Sequence, residues 1–95
     1  MAETIEEITI NFEEEGILIV KELAKEVLSR GAWTTILFRY QQWDKAKEEY
    51  SPDRYTIRRY RKVKGNYSQQ SKFNISNREQ AEKISAILTT WIKTA

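Results

Sequence analysis

The stretch RYTIRRYRKVKGNYSQQSKFNIS, residues 54–76, decides the reading of this chain. In its first ten residues β-branched and aromatic side chains are interleaved with cations, the pattern of a strand with one wet face. Gly65 and Asn66 in KGNYSQQ (64–70) supply a turn, and SKFNIS (71–76) forms a short last strand with Phe73 and Ile75 on one face. Alternation along residues 54–63 puts Arg54, Thr56, Arg58, Tyr60 and Lys62 on one side and Tyr55, Ile57, Arg59, Arg61 and Val63 on the other. The first set is a ladder of cations around an aromatic ring. Its rungs are about 6.6 Å apart, close to the phosphate separation of an extended nucleic-acid strand. From Arg54 to Lys72 the chain carries seven Lys or Arg and no acid.

Working outward, WTTILFRYQQW (33–43) is rich in strand formers, and Gly31 offers a hairpin position before it. ILIVKELAKEVL (17–28) is ambiguous: Val20, Leu23, Ala24, Val27 and Leu28 share a helical face, while Ile17, Ile19, Leu23 and Val27 alternate as in a strand. DKAKEEYSPD (44–53), with the sole proline at Pro52, reads as a turn or an exposed extended loop. Three or four strands in a row make a meander. Beyond them, Ser76 stands three residues before Glu79, the spacing of a capping box. Ala81, Ile84, Ile87, Leu88, Trp91 and Ile92 then recur at steps of three and four, predicting an amphipathic helix over 77–93 that covers a sheet face or a partner.

At 95 residues the chain is one small domain, and with no Cys or His its core must come from packing alone. The net charge of +2 conceals an asymmetry: residues 1–15 hold six Glu and no cation, which leaves +8 on the other 80. The sequence therefore divides into an acidic N-terminal segment, 1–15, and a basic domain, 16–95. The segment's composition suits a solvated tail. Its Ile5, Ile8, Ile10 and Phe12 equally suit docking as a strand or short helix, near enough to the basic face to compete there with a polyanion. No run approaches the roughly 18 apolar residues of a membrane span, and the acidic start is unlike a signal peptide. A cytoplasmic location and no membrane partner are the expectation.

The inventory argues against catalysis. Without His or Cys, a base or nucleophile has to be a carboxylate, Lys, Tyr, Ser or Thr, and the carboxylates are not set among apolar positions that would raise their pKa. Gly16, Gly31 and Gly65 are too dispersed for a phosphate loop, so no cofactor and no metal is expected. A polyanion suits the sequence better: cations track a backbone, and rings between them stack on bases. The candidate contacts are Arg54, Arg58, Tyr60 and Lys62, extended by Arg39, Tyr40 and Trp43 on the preceding strand, Lys64 and Tyr67 at the turn, and Lys72. A plainer reading stands beside it. Cations on strands discourage edge pairing and their stems cover apolar surface. Arg59 and Arg61, on the more apolar side, would then pair with Glu48, Glu49 or helix acids. No helix carries a run of cations suited to a duplex groove.

The order of parts, with IRRY (57–60), a turn around Gly65, SKFNIS (71–76) and NREQ (77–80) opening a helix, resembles the transcriptional coactivator family of positive cofactor four, whose architecture the plant Whirly proteins share. Family members carry a strand of the type I-R-E-Y, a Gly-containing turn, a K-G-I-S-L strand and a helix with E-Q near its start. The resemblance spans about residues 17–94. It implies an α+β fold, a curved four-stranded antiparallel sheet followed by a C-terminal helix, with 17–28 as the first strand. It also implies a homodimer formed around the helices and single-stranded DNA binding with little sequence preference, in transcription or DNA maintenance. Arg58, Tyr60, Lys72, Ile75 and Ser76 match the family's positions. Arg59 replaces its Glu, Arg61 stands where an aromatic is frequent, and Phe73 replaces the Gly; these changes add charge and remove one stacking ring. RNA is the other candidate ligand. The competing class is a protein-interaction module using the helix and a sheet edge.

Overall fold

The computed structural model describes residues 2–94. It is α+β, a curled antiparallel sheet followed by one helix. The strands are β1 (Phe12–Glu14), β2 (Ile17–Ser29), β3 (Trp33–Asp44), β4 (Glu49–Tyr50), β5 (Arg54–Val63) and β6 (Asn66–Ile75), and the helix is α1 (Arg78–Thr94). The sheet order is β1-β2-β3-β5-β6, with β4 paired to the end of β3. The ambiguous stretch 17–28 is thus a strand. Tertiary pairing with β3 overrides the helical periodicity of its side chains.

Six strands replace the four expected. The four long ones are β2, β3, β5 and β6, and the two short ones arise from tight turns. Glu15 and Gly16 both have positive φ (51° and 81°), the requirement of a two-residue type I′ hairpin, so Phe12–Glu14 folds back on β2. In the 44–53 loop, Asp44 Oδ1 accepts hydrogen bonds from the Ala46 and Lys47 amides. The chain then reverses so that Tyr50 pairs with Trp43, their rings edge to face at 5.0 Å. The last strand is also longer than expected. Lys64 and Gly65 (φ 51° and 84°) alone make the turn, and Asn66 already pairs with Val63. Asn66, expected in the turn, and the residues up to Gln70 are strand because so short a turn leaves them no other course.

On one face of the sheet, Thr34, Ile36, Phe38 and Tyr40 of β3 lie beside Thr56 and Tyr60 of β5. Ile36 and Phe38 are 0% exposed, and this layer is the core. The element that covers it is the N-terminal segment: Ile5, Ile8 and Ile10 are buried against Ile36, Phe38, Tyr40 and Tyr60. A bulge between Glu22 and Ala24 puts both Glu22 and Lys25 on this face, opposite Tyr40 and Phe38. Lys25 Nζ donates to the carbonyls of Ile5 and Ile8, both at 2.7 Å, and the Glu22 carboxylate accepts from the Ile10 amide at 3.1 Å. The segment is therefore held by apolar burial and by its backbone. Its carboxylates are elsewhere: Glu6 pairs with Arg30, Glu7 accepts from Thr4, and Glu13 and Glu14 sit in β1, at the sheet edge remote from β6.

The helix does not back the sheet. Asn77, one residue later than the expected Ser76, caps it by accepting from the Gln80 amide at 2.8 Å, while Gln80 Oε1 accepts from Ser76 N. Only its beginning approaches the sheet, where Ala81, Ser85 and Ala86 flank Tyr55. No residue of α1 is buried, and Trp91 and Ile92 are 66% and 73% exposed. The second face of the sheet, with Leu37, Tyr55, Ile57 and Phe73, is consequently open. Among the described residues no helix is long and apolar enough to cross a membrane.

Candidate nucleic-acid interface

The register of β3, β5 and β6 sorts the candidate residues onto two faces. Arg54, Arg58, Tyr60 and Lys62 share the covered face with Tyr40, and across β6 they meet Lys72, opposite Arg58, and Tyr67, opposite Lys62. Arg54 Nη1 donates to Gln42 Oε1 at 2.8 Å and Arg58 Nη1 to Gln69 Oε1 at 3.0 Å. Lys62 Nζ lies 5.5 Å from the Tyr67 ring centroid. Lys64 is at the hairpin tip, next to Gly65. The cations among these residues lie in a strip along one face of the β5–β6 hairpin, interrupted by the buried Thr56 and Tyr60.

Two of the proposed stacking rings are not on that strip's surface. Tyr40 and Tyr60 are 8% and 6% exposed, closed over by Ile5, Ile8 and Ile10, so both are core. Burial raises the Tyr60 phenol above its ordinary pKa, and the neighbouring Arg58 charge acts in the opposite sense. Two further candidates lie on the other face. Arg39 pairs with Asp53 at 3.6 Å, and Trp43 packs edge-on against Tyr50. Neither joins the strip.

Among the described residues the side-chain ion pairs are Arg30–Glu6, Arg39–Asp53 and Arg78–Glu82. None of the seven cations of the β5–β6 hairpin has a carboxylate within pairing distance among the described residues. Arg59 and Arg61 do not meet Glu48, Glu49 or the helix acids as expected. Both lie over the ring of Trp33, at 4.6 and 5.6 Å from its centroid. Arg58 Nε is buried without a hydrogen-bond partner among the described residues, an uncompensated donor on a permanent cation. Arg58 and Lys72 thus stand side by side as cross-strand cations, with Arg58 tied to Gln69 and set against the Tyr60 phenol.

The residues that sequence reasoning missed are on the open face: Trp33, Arg59, Arg61 and Phe73. Trp33 and Phe73 are 42% and 57% exposed. The signal that would have found them is register, since Trp33 is the direct cross-strand partner of Arg61 and Phe73 that of Ile57. No group of three or more acidic or His/Cys side chains suited to a metal ion occurs among the described residues.

Fold and surface together define a small α+β domain with a basic β-hairpin and an unpartnered C-terminal helix. A comparison with known protein families, curated proteins and solved structures finds no match.

Proposed function

We propose that this chain is a single-stranded nucleic-acid-binding protein, favouring DNA over RNA and reading little sequence, of the type of positive cofactor four. The observation that carries the reading is the Arg58–Lys72 pair: two cross-strand cations on one face with no carboxylate within pairing distance among the described residues. Adjacent like charges disfavour the folded sheet, and a phosphodiester placed between them removes that penalty. Arg54, Lys62 and Lys64 continue the track, beside Tyr67, which is half-buried against the core and donates its hydroxyl to the Gly31 carbonyl at 3.3 Å. Binding then rests on phosphate neutralisation and weakens steeply with salt.

The protein acts as a homodimer through α1, whose exposed apolar stripe has no cover within the chain. That same stripe favours the second reading, a protein-interaction module in which α1 docks an unrelated partner. The two separate on one variant. Arg58→Glu with Lys72→Glu abolishes binding of a fluorescent oligothymidine, measured by anisotropy, and leaves the oligomeric state unchanged. Equal binding by wild type and variant would remove the nucleic-acid reading.

A further inference from the structure

The open face carries a second charged cluster with its own architecture. Arg59 and Arg61 are two residues apart on β5, and both guanidiniums lie over the one ring of Trp33. Their cross-strand neighbours are uncharged: Thr35 and Trp33 on β3, Ser71 and Ser68 on the edge strand β6. Both arginines are exposed, and among the described residues no carboxylate pairs with them. The indole therefore holds two repelling cations close together and gives each a cation–π contact, while their N–H groups stay free for an anion.

Position along the strand separates this cluster from the helix. Tyr55, beside α1, and Arg61 are six residues apart on β5, which is about 20 Å. The apolar end of the open face, with Tyr55, Ile57 and Leu37, adjoins α1, and the cationic end lies away from it. Trp33, Arg59 and Arg61 are all exposed in the chain.

We propose that Trp33, Arg59 and Arg61 form a second contact for single-stranded nucleic acid, in which the two guanidiniums take phosphodiester oxygens and the exposed side of Trp33 stacks on a base. The inference rests on the proposed function and extends it to the face opposite the Arg58–Lys72 track. Both faces of the β5–β6 hairpin then engage the ligand. Because β6 is a sheet edge, a strand can pass around it from one face to the other.

The test is oligothymidine binding against salt for wild type, Arg59→Gln/Arg61→Gln, Arg59→Lys/Arg61→Lys and Trp33→Leu, with thermal melting of each as a check on folding. The Gln pair removes two phosphate contacts, so the slope of log K against log salt becomes shallower by about 1.4. The Lys pair keeps the slope and loses affinity, because the planar fork is gone. Trp33→Leu weakens binding about 5- to 150-fold, the range for one stacked base. If wild type does not bind, the proposed function falls and this inference with it. If wild type binds and the Gln pair retains both its slope and its affinity, this inference alone is overturned.

Discussion

Arg58 on β5 and Lys72 on β6 are direct cross-strand partners, two cations on one face, and among the described residues no carboxylate lies within 4 Å of either. Opposed like charges cost a sheet about 0.2–1 kcal/mol, so removing one should relieve the fold as it harms binding. Lys72→Gln is expected to leave the melting temperature unchanged or raise it slightly, while weakening oligothymidine binding. A variant that melts lower and binds as well as wild type would mean that Lys72 serves packing.

The acidic N-terminal segment is core. Ile8 is 3% exposed and packs among Ile5, Ile10, Ile36 and Phe38. Ile8→Ala should destabilise the protein by about 2–5 kcal/mol in denaturant unfolding, from lost burial and the cavity left behind. Deleting residues 2–11 should unfold or loosen the sheet; a truncated protein of unchanged stability with tighter nucleic-acid binding would identify the segment as a removable cover.

Burial holds the Tyr60 phenol protonated, with its pKa above the ordinary 10.0. A folded-state pKa above the unfolded value contributes stability that is complete below the unfolded pKa and is lost as pH rises through the folded one. Stability should therefore decline above about pH 10, and Tyr60→Phe should flatten that decline in pH-dependent unfolding. An identical alkaline limb in both proteins would show that Tyr60 is not the group responsible.

The stripe of α1 predicts the quaternary state. Trp91 and Ile92 are two of its most exposed large side chains. Trp91→Glu should convert the dimer to a monomer in sedimentation velocity without unfolding the sheet, since α1 touches the rest of the chain only near its start. A wild-type protein that sediments as a monomer contradicts dimerisation outright.

Much of this fold can be read from the residues, for local reasons. Trp33–Asp44 and Arg54–Val63 have both the composition and the alternation of strands, and the face assignment of Arg54 through Val63 follows from period two alone. The helix is written in its stripe and its polar start, with the cap one residue from its expected place. Which face is covered is another matter. Ile5, Ile8 and Ile10 lie among glutamates, and their burial depends on Lys25 and Glu22 reaching the segment's backbone from a bulged strand, a long-range arrangement with no local signature. That one uncertainty moved Tyr40 and Tyr60 from surface to core. It also hid Trp33, whose role beside Arg59 and Arg61 depends on the β3–β5 register.

The measurement that tests the central claim most directly is the affinity of the wild-type protein for a labelled single strand and for the matching duplex, by anisotropy at several salt concentrations. The account predicts tighter binding of the single strand, with log K falling linearly as log salt rises, by about 0.7 per phosphate neutralised. Equal or stronger binding to the duplex, or no binding to either at low salt, would contradict it.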